Sequence, residues 1–94
     1  MIYTIVKTKN FEKDFEKYDS HIQIYLIERI ESLLKHENPF LLFKKVKGYK
    51  DIYRYKTGKI RIILRIMKNE IHLLKIGYRK DIYKKFKSTF NFII

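Results

Sequence analysis

Apolar and polar positions follow two different periods along this chain, and the period changes near residue 50. Ile2 to Val6 is a short β-branched and aromatic run that predicts a strand, and Thr8 to Asn10 supply residue types that cap a helix start. Phe11, Phe15 and Tyr18 then recur at i, i+4 and i+7. That spacing places them on one face of a helix, with Glu12, Lys13, Asp14, Glu16 and Lys17 on the rest. A second helix is predicted from Ser20, which forms a capping-box pattern with Gln23; Ile22, Leu26, Ile30, Leu33 and Leu34 make its apolar stripe, and it ends near Asn38 and Pro39. A connection this short predicts an antiparallel helix hairpin.

Residues 40–51 (FLLFKKVKGYKD) begin apolar and turn basic, and they read as a loop in which Gly48 permits a tight turn. From Ile52 the period is two. Strands are predicted over Ile52 to Lys56, Ile60 to Met67 and Glu70 to Ile76, with turns at Thr57-Gly58 and Lys68-Asn69, giving an antiparallel meander. A short helical turn is expected after Gly77. The expected fold class is α+β: an N-terminal strand, an antiparallel helix hairpin, a three-stranded antiparallel meander and a short C-terminal helix. These form one domain over residues 1–94, with 88–94 as a flexible tail. In the middle strand Ile60, Ile62, Leu64 and Ile66 face the helices, and Arg61, Ile63 and Arg65 face away. Tyr53 and Tyr55 share one face of the preceding strand, with Arg54 and Lys56 on the other. Where the basic faces coincide, Arg54, Lys56, Arg61 and Arg65 form a cationic floor.

Composition sharpens this picture. The 94 residues carry a net charge of +12. Residues 1–43 hold six Lys or Arg against seven Asp or Glu, whereas residues 44–94 hold sixteen against three. The second half is therefore the one suited to a polyanion. Lysine also serves as a default surface residue in a chain this rich in Ile, Lys, Phe and Tyr, so total charge is the weaker signal. The arginines are more specific: Arg54, Arg61, Arg65 and Arg79 crowd into 26 residues, with only Arg29 elsewhere, and the guanidinium fork binds phosphate bidentately. There is no cysteine, and His21, His36 and His72 are widely spaced, so neither a disulfide framework nor a metal site is expected. The apolar runs are too short to span a bilayer and the start, MIYTIVKTKN, lacks a signal-peptide stretch; no membrane partner and a cytoplasmic location are expected.

A cationic sheet face near Arg79 and Tyr83 suits an RNA phosphate. Its charges can hold the phosphate and stabilise the extra negative charge of a phosphorane-like transition state. RNA carries its own nucleophile in the 2′-hydroxyl, so no cofactor is needed. Proton transfer still needs side chains, and clustered cations lower the pKa of Tyr83 or of a neighbouring lysine. Lys44, Lys45, Lys47 and Lys50, with Tyr49, read as a solvated basic loop that can also grip a nucleic-acid backbone. His72 is a weak candidate for a catalytic base, and Tyr53 and Tyr55 read as core.

The segment KKVKGYKDIYRYKTGKIRIIL followed by IGYRKDIY resembles the RelE/ParE toxin superfamily. Arg54, Lys56, Gly58 and Arg61 fill one part of its pattern, and Gly77, Arg79, Asp81 and Tyr83 fill the closing part. The resemblance implies a RelE-like fold and a ribosome-dependent mRNA endonuclease that works without a metal. Its partners would be mRNA, ribosomal RNA and a RelB-like antitoxin that wraps it. It also implies site roles: Arg54 and Lys56 in phosphate binding and proton transfer, Arg61 and Arg79 in transition-state stabilisation, and Tyr83 in activating the nucleophile or stacking on a base. Lys45, Lys47, Arg65, Tyr78 and Lys80 are the expected RNA-contacting residues around them. Two positions depart from the family pattern. Tyr78 stands where many relatives have His, and Leu64 where many have Tyr, so a Lys, Arg and Tyr mechanism is favoured over a histidine one. A ParE-like gyrase-inhibiting toxin and a non-catalytic RNA-binding module are the alternatives.

Overall fold

The computed structural model describes residues 3–80 and 82. Its elements are β1 (Thr4–Lys7), α1 (Lys9–Glu16), α2 (Ser20–Lys35), a 3-10 turn (Pro39–Leu42), β2 (Phe43–Lys45), β3 (Ile52–Thr57), β4 (Ile60–Met67) and β5 (Glu70–Tyr78). The strands form one mixed sheet in the order β1-β5-β4-β3-β2, with β1 parallel to β5 and every other pair antiparallel. The α+β class therefore stands, with more strand pairing than expected. The predicted N-terminal strand joins the meander as an edge, and the predicted 40–51 loop contains a 3-10 turn and a further strand. The expected C-terminal helix and the 88–94 tail lie outside the described residues.

Period-two patterning places the core. Ile60, Ile62, Leu64 and Ile66 of β4 pack with Tyr55, Ile71, Leu73 and Ile76 against Phe11 of α1 and Leu26, Ile30 and Leu33 of α2. On the opposite face Ile52, Ile63 and Ile82 form a smaller cluster with Val46, Tyr49 and Leu74 at its margin. The helices pack on one face, and among the described residues the smaller cluster occupies part of the other.

Helix starts follow local chemistry. Thr8 caps α1, accepting from the Phe11 N–H at 3.3 Å, and its hydroxyl also donates to the Leu73 carbonyl at 2.8 Å. That carbonyl lies where the β4–β5 register slips by one residue: Ile63 pairs with Lys75 but Leu64 with Leu73. The extra residue of this bulge sends Leu74 to the far cluster, while the Lys75 ammonium reaches Asp14 of α1 at 3.4 Å. The pair is close enough to attract but is not aligned as a hydrogen bond. The predicted capping box at Ser20 does not form. Asp19 takes the cap position, and Gln23 turns back to donate from Nε2 to the Tyr18 carbonyl at 2.8 Å. The helix also ends earlier than expected, at Lys35.

Candidate active site

Strand register builds a cationic cleft on the sheet face away from the helices. Lys44 of β2 lies directly opposite Arg54 of β3, and Lys56 of β3 directly opposite Arg61 of β4. Directly opposed residues share a face, so these four side chains form two adjacent cross-strand pairs of like charge. Together with Arg79 and Leu42 they line a cleft of about 490 Å³. Five of the six described lining residues are cationic and the sixth is apolar.

Two of the arginines are set by a single turn. Gly58 and Lys59 link β3 to β4, and Gly58 has φ +61°, the conformation a two-residue hairpin turn asks of its first central residue. Arg61 is 7% exposed, and its Nη1 donates to the Gly58 carbonyl at 2.7 Å and the Ile60 carbonyl at 3.1 Å. The carbonyl between them, Lys59, accepts from the Arg79 N–H at 3.1 Å. Gly77 faces Arg61 across the β4–β5 pair, and a Cβ there would stand 3.3 Å from Ile82 Cδ1, so glycine lets the chain after β5 close down.

The structure gathers Arg54, Lys56, Arg61 and Arg79 in one cleft and disperses the other expected contacts. Arg65 lies four residues along β4 from Arg61, about 13 Å at the usual rise per residue, and does not line the cleft. It shares the face of Arg61 but stands toward the other end of the strand. Lys45 pairs with Tyr53, which packs on the helix-side core, so its register position belongs to that side. Tyr78 pairs with Ile60 and sets its ring 5.8 Å from Tyr18, also on the helix side. Lys47 is exposed in the turn before β3, and Lys80 is exposed beyond β5. Asp81 and Tyr83 lie outside the described residues. Lys44, expected only in a basic loop, belongs to the three-residue β2 and faces into the cleft; the alternation of apolar Phe43 with Lys44 is the signal for that strand. His72 pairs with Arg65 at the far end of the sheet and stands 3.3 Å from Glu70, away from the cleft lining. Among the described residues no group of His, Cys, Asp and Glu could hold a metal.

A family model described as the ParE toxin of type II toxin-antitoxin systems, parDE, matches residues 5–83. The chain belongs to the ParE toxin family. Toxin RelE3 of Methanocaldococcus jannaschii is 29% identical over 85 residues, covering 87% of this chain and 97% of that protein. Among solved structures, the RelB-RelE antitoxin-toxin complex from Methanococcus jannaschii matches with a TM-score of 0.69 at 29% identity, over 86% of this chain and 98% of its counterpart. The RelBE2 toxin-antitoxin complex from Mycobacterium tuberculosis gives 0.72 at 19% identity, over 84% and 100%. An E. coli RelE mutant in the free state gives 0.70 at 18%, over 89% and 93%. The last two are likenesses of fold. This toxin-family chain thus carries the RelE fold with the cleft on the sheet face away from the helices.

Proposed function

We propose that this chain is the toxin of a toxin-antitoxin pair and cleaves mRNA on the ribosome, with the scissile phosphate held in the cleft of Lys44, Arg54, Lys56, Arg61 and Arg79. The observation that carries this reading is the pair of like-charge cross-strand contacts, Lys44 with Arg54 and Lys56 with Arg61. Like charges directly opposite destabilise a sheet. A sheet face that concentrates such pairs at one end is suited to holding an anion between them.

The chemistry follows from the cations and the substrate. The 2′-hydroxyl attacks the adjacent phosphorus, a 2′,3′-cyclic phosphate forms, and the 5′-oxygen leaves with a proton. Arg61 and Arg79, held by adjacent carbonyls, stabilise the charge that grows on the non-bridging oxygens. Arg54 and Lys44 grip the phosphate, and Lys56 and Tyr83 are the proton-transfer groups. The ribosome supplies further alignment of nucleophile and leaving group. The site of action is then the cytoplasm, and the partner that silences the cleft is an acidic antitoxin. Relatives solved as RelB-RelE complexes support that partner.

The family description, a ParE toxin, favours a second reading: inhibition of DNA gyrase through protein contacts. Purified protein incubated with programmed ribosomes, with a supercoiling assay in parallel, separates the two. The proposal expects mRNA fragments ending in 2′,3′-cyclic phosphate and 5′-hydroxyl, with supercoiling unaffected. Intact mRNA with gyrase inhibited would transfer the case to the second reading.

A further inference from the structure

The turn whose carbonyls hold Arg61 and Arg79 is tied to the helix layer by a hydrogen bond at its edge. The Tyr25 hydroxyl of α2 and the Thr57 hydroxyl stand 2.7 Å apart, across 32 residues of sequence. Thr57 is 2% exposed and is the last residue of β3 before the turn, so its hydroxyl needs a partner. Tyr25 is 42% exposed, and the Arg29 guanidinium lies 5.9 Å from its ring centroid. Beyond Thr57, three successive carbonyls are occupied by the arginines: Gly58 and Ile60 accept from Arg61 Nη1, and Lys59 accepts from the Arg79 N–H. A shift of the turn therefore moves both arginines together.

We infer that Tyr25 is a positioning residue for the cleft, acting through Thr57 and the Gly58–Lys59 turn to fix Arg61 and Arg79. The inference rests on the proposed nuclease reading for its kinetic half and on the geometry alone for its structural half. Tyr25 lies on the helix layer, on the other side of the sheet from the RNA-binding face, so removing its hydroxyl takes away no substrate contact. Its effect falls on turnover rather than on binding. One hydrogen bond in this role corresponds to a change of about three- to tenfold.

The test uses the full-length protein with labelled arginine side chains. In Tyr25→Phe, the Arg61 guanidinium signals are expected to lose their restricted rotation and the Arg79 amide to shift, with the remaining amide spectrum unchanged. On programmed ribosomes, saturated turnover is expected to fall about three- to tenfold, with the half-saturating ribosome concentration unaltered. Thr57→Val should reproduce both effects, the Tyr25→Phe/Thr57→Val double variant should be no worse than either single one, and Thr57→Ser, which keeps the hydroxyl, should retain wild-type values. Unchanged arginine signals in Tyr25→Phe overturn the inference, as does additivity of the two single variants. If the wild-type protein cleaves nothing, the nuclease reading fails, and the arginine signals alone decide the positioning role.

Discussion

Arg61 and Arg79 carry the same charge into the cleft but are held differently, and their substitutions separate catalysis from stability. Arg61 is buried and its Nη1 bonds two turn carbonyls, so Arg61→Ala leaves both carbonyls short of a donor and is expected to cost about 1 kcal/mol of stability. Arg79 is exposed and joins the turn through its backbone N–H, which a side-chain change leaves in place. Arg79→Ala is therefore the cleaner variant: cleavage should fall by roughly two orders of magnitude, the scale for losing one transition-state donor, with the melting temperature within about a degree of wild type. A cleavage assay paired with thermal melts checks both halves. Tyr18 offers a pH test on the helix side. Burial, then the neighbouring Tyr78 and Asp14, raise its pKa above the usual 10.0, so the fold disfavours the phenolate. The stability this reflects is fully present below pH 10 and is lost as pH rises through the folded value. Melts from pH 9 to 11 should show a shallower decline for Tyr18→Phe than for wild type, and equal slopes would contradict this.

At the scale of elements, β2 is the strand on which stability and function pull apart. Lys44→Glu would turn the repulsion with Arg54 into attraction, raising stability by up to about 1 kcal/mol, while placing a carboxylate in the cleft. Urea titration and RNA-binding measurements should show a more stable and weaker-binding protein; a less stable one would contradict a net repulsion between Lys44 and Arg54. The same strand marks where the sequence was opaque. The apolar 40–43 run and the lysines after it show only a brief alternation over three residues, too short to mark a strand within a basic stretch, and the register that sets Lys44 opposite Arg54 is not legible there. The longer strands β3 and β4 were legible, and so was the gathering of Arg54, Lys56 and Arg61 on one face. The bulge at Leu74 was not: Leu73, Leu74 and Lys75 give no local sign that the register slips, and it takes Thr8 and Asp14, brought in from another element, to stabilise the slip. The parallel pairing of β1 with β5 was hidden for a similar reason, since it joins segments more than sixty residues apart. The Ser20 and Gln23 box failed because Gln23 found the Tyr18 carbonyl instead.

Across the whole molecule, charge and layering divide the labour. The nearly neutral first half supplies both helices and, through them, the cover for the core. The strongly basic second half supplies β3, β4 and β5 with most of the cleft. Among the described residues, a helix layer on one side leaves the opposite sheet face to the small Ile52, Ile63 and Ile82 cluster and to the cations, without costing the main core its burial. The arrangement is that of the ParE toxin family, and within it the like-charge pairs favour a phosphate ligand. The most direct test is to map mRNA 5′ ends by primer extension in a translating extract given either wild-type protein or Arg79→Ala. Cuts within translated codons that appear with wild type and are lost or reduced about a hundredfold with Arg79→Ala are the predicted result. Intact message with the wild type, or cuts of equal strength with a folded Arg79→Ala, would contradict it.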